Sequence, residues 1–223
     1  MTIESSRTLG GVGAILMLVG TLPVLGTYSF GIVALVGLIL VLIALYGFAN
    51  IYKEKGIFNN SLYGVIAGIV GLAIASAVLI VSVLANLRNF LQQLYPSWNG
   101  SWSSISSLSG KTPDTSNITM SSIGPFLAGI LTVLLIIWIF LIVWAFFARR
   151  SLGTLSTKTG VGLFSTAALL LLIGAVLTII IIGFLLMWIA VLLMAIAFFQ
   201  IKTEPAQPPP PMATIPPPMP TPM

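Results

Sequence analysis

Cysteine and histidine are both absent from the 223 residues. Without them there can be no disulfide, no thiol nucleophile, no Cys/His zinc site, no iron–sulfur cluster and no bis-His haem. Charge is nearly as scarce. Asp, Glu, Lys and Arg together make up 6% of the chain, against roughly a quarter in a soluble domain. The four carboxylates are Glu4, Glu54, Asp114 and Glu204, and no two are spaced for acid–base work. Nine Lys and Arg give a net charge of +5, but they stand as singles and pairs and never form a basic stripe. That scatter speaks against nucleic acid as a partner.

What fills the chain is apolar. Hydrophobic residues make up 58% of it, and the mean hydropathy is +1.13. No soluble fold of this length could bury that much apolar surface, so the bilayer must be its solvent. Residues 9–50 form a block of about twice the length a ~30 Å hydrocarbon core requires. Pro23 and Gly26-Thr27-Tyr28-Ser29 interrupt it. The expected spans are helices near 9–26 and 29–50. Arg7 ahead of an apolar run imitates a signal peptide, but no small-x-small cleavage site follows, so the segment is read as retained.

A third helix is expected near 62–86 and a fourth near 124–148. The fourth opens on Gly124-Pro125, a first-turn position that tolerates proline, and stops at Arg149-Arg150. Between these helices lies the longest hydrophilic stretch, 87–122, and 149–160 reads as a second polar loop. The apolar block 161–199 divides into helices near 161–181 and 184–201, with Gly183 as the expected turn. A turn within "TIIIIGF" is apolar enough to sit below the membrane surface if neighbouring helices hold it. The expected fold is therefore an all-α polytopic bundle of about six transmembrane helices in residues 1–203.

Seven basic residues (Arg7, Lys53, Lys55, Arg149, Arg150, Lys158 and Lys202) fall on one side of this topology. Only Arg88 and Lys111 fall on the other. The positive-inside rule then puts both termini in the cytoplasm and 87–122 outside. Two sequons in that loop, at Asn99 and Asn117, would be N-glycosylation acceptors. Trp144 and Tyr46 near the inner ends and Tyr28 near the outer one suit aromatic belts, whereas Trp138 falls mid-span. The tail 204–223 holds ten prolines, which forbids helix and sheet and favours a disordered or extended polyproline chain. It is either a docking arm for a cytoplasmic partner or a solvated spacer.

Ionisable groups inside a membrane are the usual mark of proton relays and ion paths, and every one here lies outside the apolar spans. Ser109-Gly110-Lys111-Thr112 ends like a phosphate loop, but Ile105 stands where its first Gly belongs. No catalytic, cofactor or metal site emerges. The most specific pattern lies on the third helix, where Gly64, Gly68, Gly71, Ala75, Ser82 and Asn86 fall on one face. Such a ridge lets a second helix approach closely, either within the bundle or from another subunit. Thr21, Ser76, Thr132, Ser165, Thr166 and Thr178 either bond back to their own helices or line a path for a neutral solute. The stretches after the second and fourth helices share a layout of aromatic helix end, basic loop and Gly-led helix, a faint sign of duplicated hairpins.

The N-terminal "SSRTLGGVGAILMLVG" and "LVGLILVLIALYGFANIYKEKGIFNNSLYGVIAGIVG" resemble an archaeal family of membrane proteins, domain of unknown function nine hundred ninety-six. The C-terminal "KTGVGLFSTAALLLLIGAVLTIIIIGFLLMWIAVLLMAIAFFQI" is similar to the same family's closing hairpin. The resemblance covers most of residues 5–201 and implies an archaeal cell membrane, with no activity, cofactor or site attached. The expected function is a non-catalytic scaffold or accessory subunit, its partners being membrane lipid and other membrane subunits or further copies of itself. The alternative is a channel or carrier for an uncharged solute or lipid.

Overall fold

A computed structural model describes residues 1–21, 30–117 and 120–202, and among these it is helical with no strand. The helices are α1 (Ile3–Gly20), α2 (Phe30–Ile51), α3 (Lys55–Leu94), α4 (Met120–Thr159), α5 (Leu163–Leu177) and α6 (Ile182–Gln200). Consecutive helices pack as antiparallel hairpins, and α6 returns to α1, so the six close into a ring. Among the described residues five helices, α2 to α6, are long and apolar enough to cross a membrane. α1 is not one of these: its N-terminal turns hold Glu4, Ser5, Ser6 and Arg7.

Several boundaries differ from the sequence reading. α1 starts at Ile3 rather than near residue 9, because Thr2 caps it: the Ser5 amide donates to Thr2 Oγ1 at 3.2 Å, and the Ser5 hydroxyl accepts from the Thr2 amide. The expected loop 149–160 is helical to Thr159, and α3 begins at Lys55, ahead of the expected 62. Polar residues end a span without ending a helix. Beyond the apolar stretch, α4 becomes amphipathic: Ser151, Leu152, Leu155 and Ser156 are buried while Arg149, Arg150, Thr157 and Lys158 are exposed or half-exposed. Pro125 lies inside α4 and not in its first turn, because the helix already runs from Met120. Of the hydrophilic stretch 87–122, the first eight residues complete α3, and 3-10 turns form at Trp102–Leu108 and Thr115–Asn117.

The expected turn at Gly183 is displaced as well. α5 tightens into a 3-10 turn, Thr178–Ile180, and the chain reverses at Ile181, whose φ is 63°. Gly183 sits buried in the first turn of α6, and a Cβ there would strike the Gly174 carbonyl oxygen and the Thr178 amide. This glycine permits close packing and plays no part in the reversal. The tail 204–223, together with Pro23 and Gly26-Thr27-Tyr28-Ser29, lies outside the described residues.

The core lies at the end of the ring that carries Met1 and Lys202. Phe48, Ile57, Leu155, Phe164, Phe198 and Ile201 are fully or almost fully buried there. Phe198 is at the centre, edge-on to Phe164 at 5.0 Å and stacked on Phe48 at 6.2 Å. α1 and α2 approach closely because glycines face each other: a Cβ on Gly13 would come within 2.7 Å of the Gly37 carbonyl oxygen. Basic residues gather at this end. Arg7 donates to the Ile201 carbonyl at 3.1 Å, and Lys158 pairs with Glu54 at 3.3 Å.

Candidate functional site

The small-residue ridge of α3 packs against α4 within the chain. A Cβ on Gly64 would lie 3.2 Å from the Trp144 carbonyl oxygen, and one on Gly71 would collide with the Phe140 ring at its root. Ala75 is 2% exposed. Further along, the Ser82 side chain faces Gly129, where an added Cβ would lie 3.0 Å away, and Asn86 Nδ2 donates to the Pro125 carbonyl at 3.4 Å. Gly68 differs from the other five, since nothing lies within 4 Å of a Cβ built on it. The α3–α4 register is read from these pairs and from Ser61, whose hydroxyl donates to Ser151 Oγ at 2.8 Å.

Gly68 opens onto a cleft of about 400 Å³ lined by Leu38, Val65, Leu72, Phe140, Trp144 and Met187 among others. The lining is apolar. Hydroxyls in the helices do not serve it: Thr21, Thr132 and Thr178 donate to the carbonyls of Leu18, Ala128 and Gly174 at 2.8–2.9 Å. Thr166 points to Gly162 in the same way, at 3.5 Å. These four hydroxyls bond back to their own helices, and Thr178 Oγ1 also lies 3.8 Å from Met187 Sδ of α6.

Trp138, which suited neither aromatic belt, has a specific partner: its indole Nε1–H donates to the Val176 carbonyl in the last turn of α5 at 3.2 Å. Sequence gave no signal for this pair, because the acceptor is a main-chain atom exposed only where a helix ends. The close seam between α1 and α2 was also missed, although Gly13 and Gly20, two helical turns apart, could have indicated it. At the other end of α3, Trp98 is buried against Trp102, ring centroids 6.0 Å apart, with its Nε1 donating to Ser104. Asn99 is exposed, and its Oδ1 accepts from the Ser101 amide and Ser104 hydroxyl. The Asn117 side chain and the Ile118-Thr119 that completes its sequon lie outside what is described. Hydrogen bonds from Ser116 to Asp114 hold that carboxyl below the usual range.

A ring of apolar helices with its charges confined to the two ends defines a multi-pass membrane protein. The chain belongs to the family described as protein of unknown function (DUF996), whose profile matches residues 33–192. It is similar to the "uncharacterized protein MJ1644" of the archaeon Methanocaldococcus jannaschii, at 30% identity over 205 residues, which cover 92% of this chain and 96% of that one. No solved structure matches.

Proposed function

We propose that this is a non-catalytic scaffold or accessory subunit of the archaeal cell membrane, with both termini in the cytoplasm and no nucleic-acid partner. One observation carries the reading. Among the described residues no Asp, Glu, Lys or Arg lies on α3 between Lys55 and Arg88, on α4 between Met120 and Arg149, or anywhere on α2, α5 or α6. A proton relay, a coupled carrier and an acid–base enzyme all need such a group. What the helices offer instead is surface. Val81 and Leu131, on the halves of α3 and α4 remote from Met1 and Lys202, are 68% and 65% exposed.

The apolar cleft beside Gly68 favours one form of the alternative, a carrier for lipid, over a hydroxyl-lined path for an uncharged solute. A photoreactive amino acid at Val81 or Leu131, irradiated in native membranes, separates the two. The scaffold reading expects a discrete protein adduct of fixed mass, either a second subunit or a second copy. Lipid adducts alone at both positions would overturn it in favour of the lipid reading.

A further inference from the structure

We propose that the α5–α6 hairpin does not cross the membrane. It enters from the face that carries Met1 and Lys202, turns inside the hydrocarbon at Thr178–Ile181, and leaves by the same face. Among the described residues only α3, α4 and the segment between them pass that level to the far side.

The register fixes the level of the turn. Trp138 of α4 meets Val176 at 3.2 Å, near the far end of α5. The pairs Ser61–Ser151, Gly71–Phe140 and Ser82–Gly129 place Trp138 beside residues 73–74 of α3. α2 agrees: Tyr46 meets Phe58, so Phe30, sixteen residues on, also comes level with residue 74. From there α3 runs on to Leu94 and α4 back to Met120, each for about 27–30 Å at ~1.5 Å per residue.

Charges bracket the membrane around that level. Arg150 stands twelve residues from Trp138 along α4, roughly 18 Å, and Arg88 stands fourteen residues from Ile74 along α3, roughly 21 Å. A hydrocarbon core of ~30 Å fitted between them extends at least about 12 Å past Trp138. The 3-10 turn beyond Val176 reaches only about 6 Å further. The far halves of α3 and α4 demand the same placement. Ile80, Val81, Leu84, Leu127, Leu131 and Leu134 are 46–68% exposed, and lowering the membrane to free the α5–α6 turn would put that surface in water.

The turn is also built as lipid requires. A helix end leaves carbonyls unpaired, and in hydrocarbon the protein itself must satisfy them. Thr178 Oγ1 donates to the Gly174 carbonyl at 2.9 Å, and Trp138 supplies Val176. The amides of Ile181 and Phe184 donate to Thr178 and Ile181 at 3.1 and 3.0 Å. Ile179, Ile180, Ile181 and Ile182, all 58–78% exposed, present an apolar tip.

The absence of cysteine makes the test direct. Full-length Ile180→Cys and Phe184→Cys, at the tip and on α6 beside it, are reconstituted in liposomes permeabilised so that an impermeant maleimide reaches both faces. Ser106→Cys, exposed in the loop after α3, is the aqueous reference. A thiol in hydrocarbon cannot ionise, so both tip variants should react at least about tenfold more slowly than Ser106→Cys. A bimane placed at either position in detergent before reconstitution should be quenched more by nitroxides deep in the acyl chains than by headgroup nitroxides. Labelling of both tip variants as fast as Ser106→Cys, with headgroup quenching dominant, would overturn the proposal.

Discussion

Gly68 and Gly71 stand three residues apart on α3 and meet opposite surroundings. At Gly71 an added Cβ strikes Cβ and Cγ of Phe140, atoms too near the backbone to swing away. At Gly68 it enters the cleft. Overpacking of this kind costs about 1–3 kcal/mol. Gly71→Ala should therefore lower the melting temperature of the purified protein by several degrees, while Gly68→Ala leaves it within error. Equal losses at the two positions would mean that Gly68 also faces a packed helix. Helical periodicity puts the two glycines on one face. It cannot distinguish them, because it gives an angle and says nothing of how far away the neighbour lies.

At the scale of the element, the α5–α6 reversal shows where strain sits. Ile181 holds a φ of 63° with ψ −37°, a sparsely populated positive-φ conformation that costs an L-residue about 1–3 kcal/mol. Its side chain is 78% exposed and packs little, so removing it forfeits little contact. Ile181→Gly should raise the melting temperature, and Ile181→Ala, which keeps the Cβ, should not. A lower melting point for the Gly variant would show that the turn depends on the isoleucine side chain. The existence and order of all six helices were legible from apolar runs and their breaks. Their ends were not. α3 and α4 continue past Asn59-Asn60 and Arg149-Arg150 because a charged residue leaves the hydrocarbon without leaving the helix. Ile181 carries no turn signal, so the reversal was assigned to the nearest glycine, two residues away.

The whole molecule is a closed ring whose shared core lies toward Met1 and Lys202 and whose far half is the α3–α4 pair. This asymmetry was legible only in the charges, seven basic residues against two, and it carries the proposed orientation. Ser106, exposed in the 3-10 turn that follows α3, reports that orientation with the least disturbance; Ser104 is less suitable because its hydroxyl bonds Trp98 and Asn99. The decisive measurement is the reaction of Ser106→Cys in intact cells with a membrane-impermeant maleimide. The account predicts full labelling before lysis, with a reporter fused after Lys202 remaining cytoplasmic in the same cells. Labelling of Ser106→Cys only after lysis would contradict it, since the α3–α4 hairpin would then point inward.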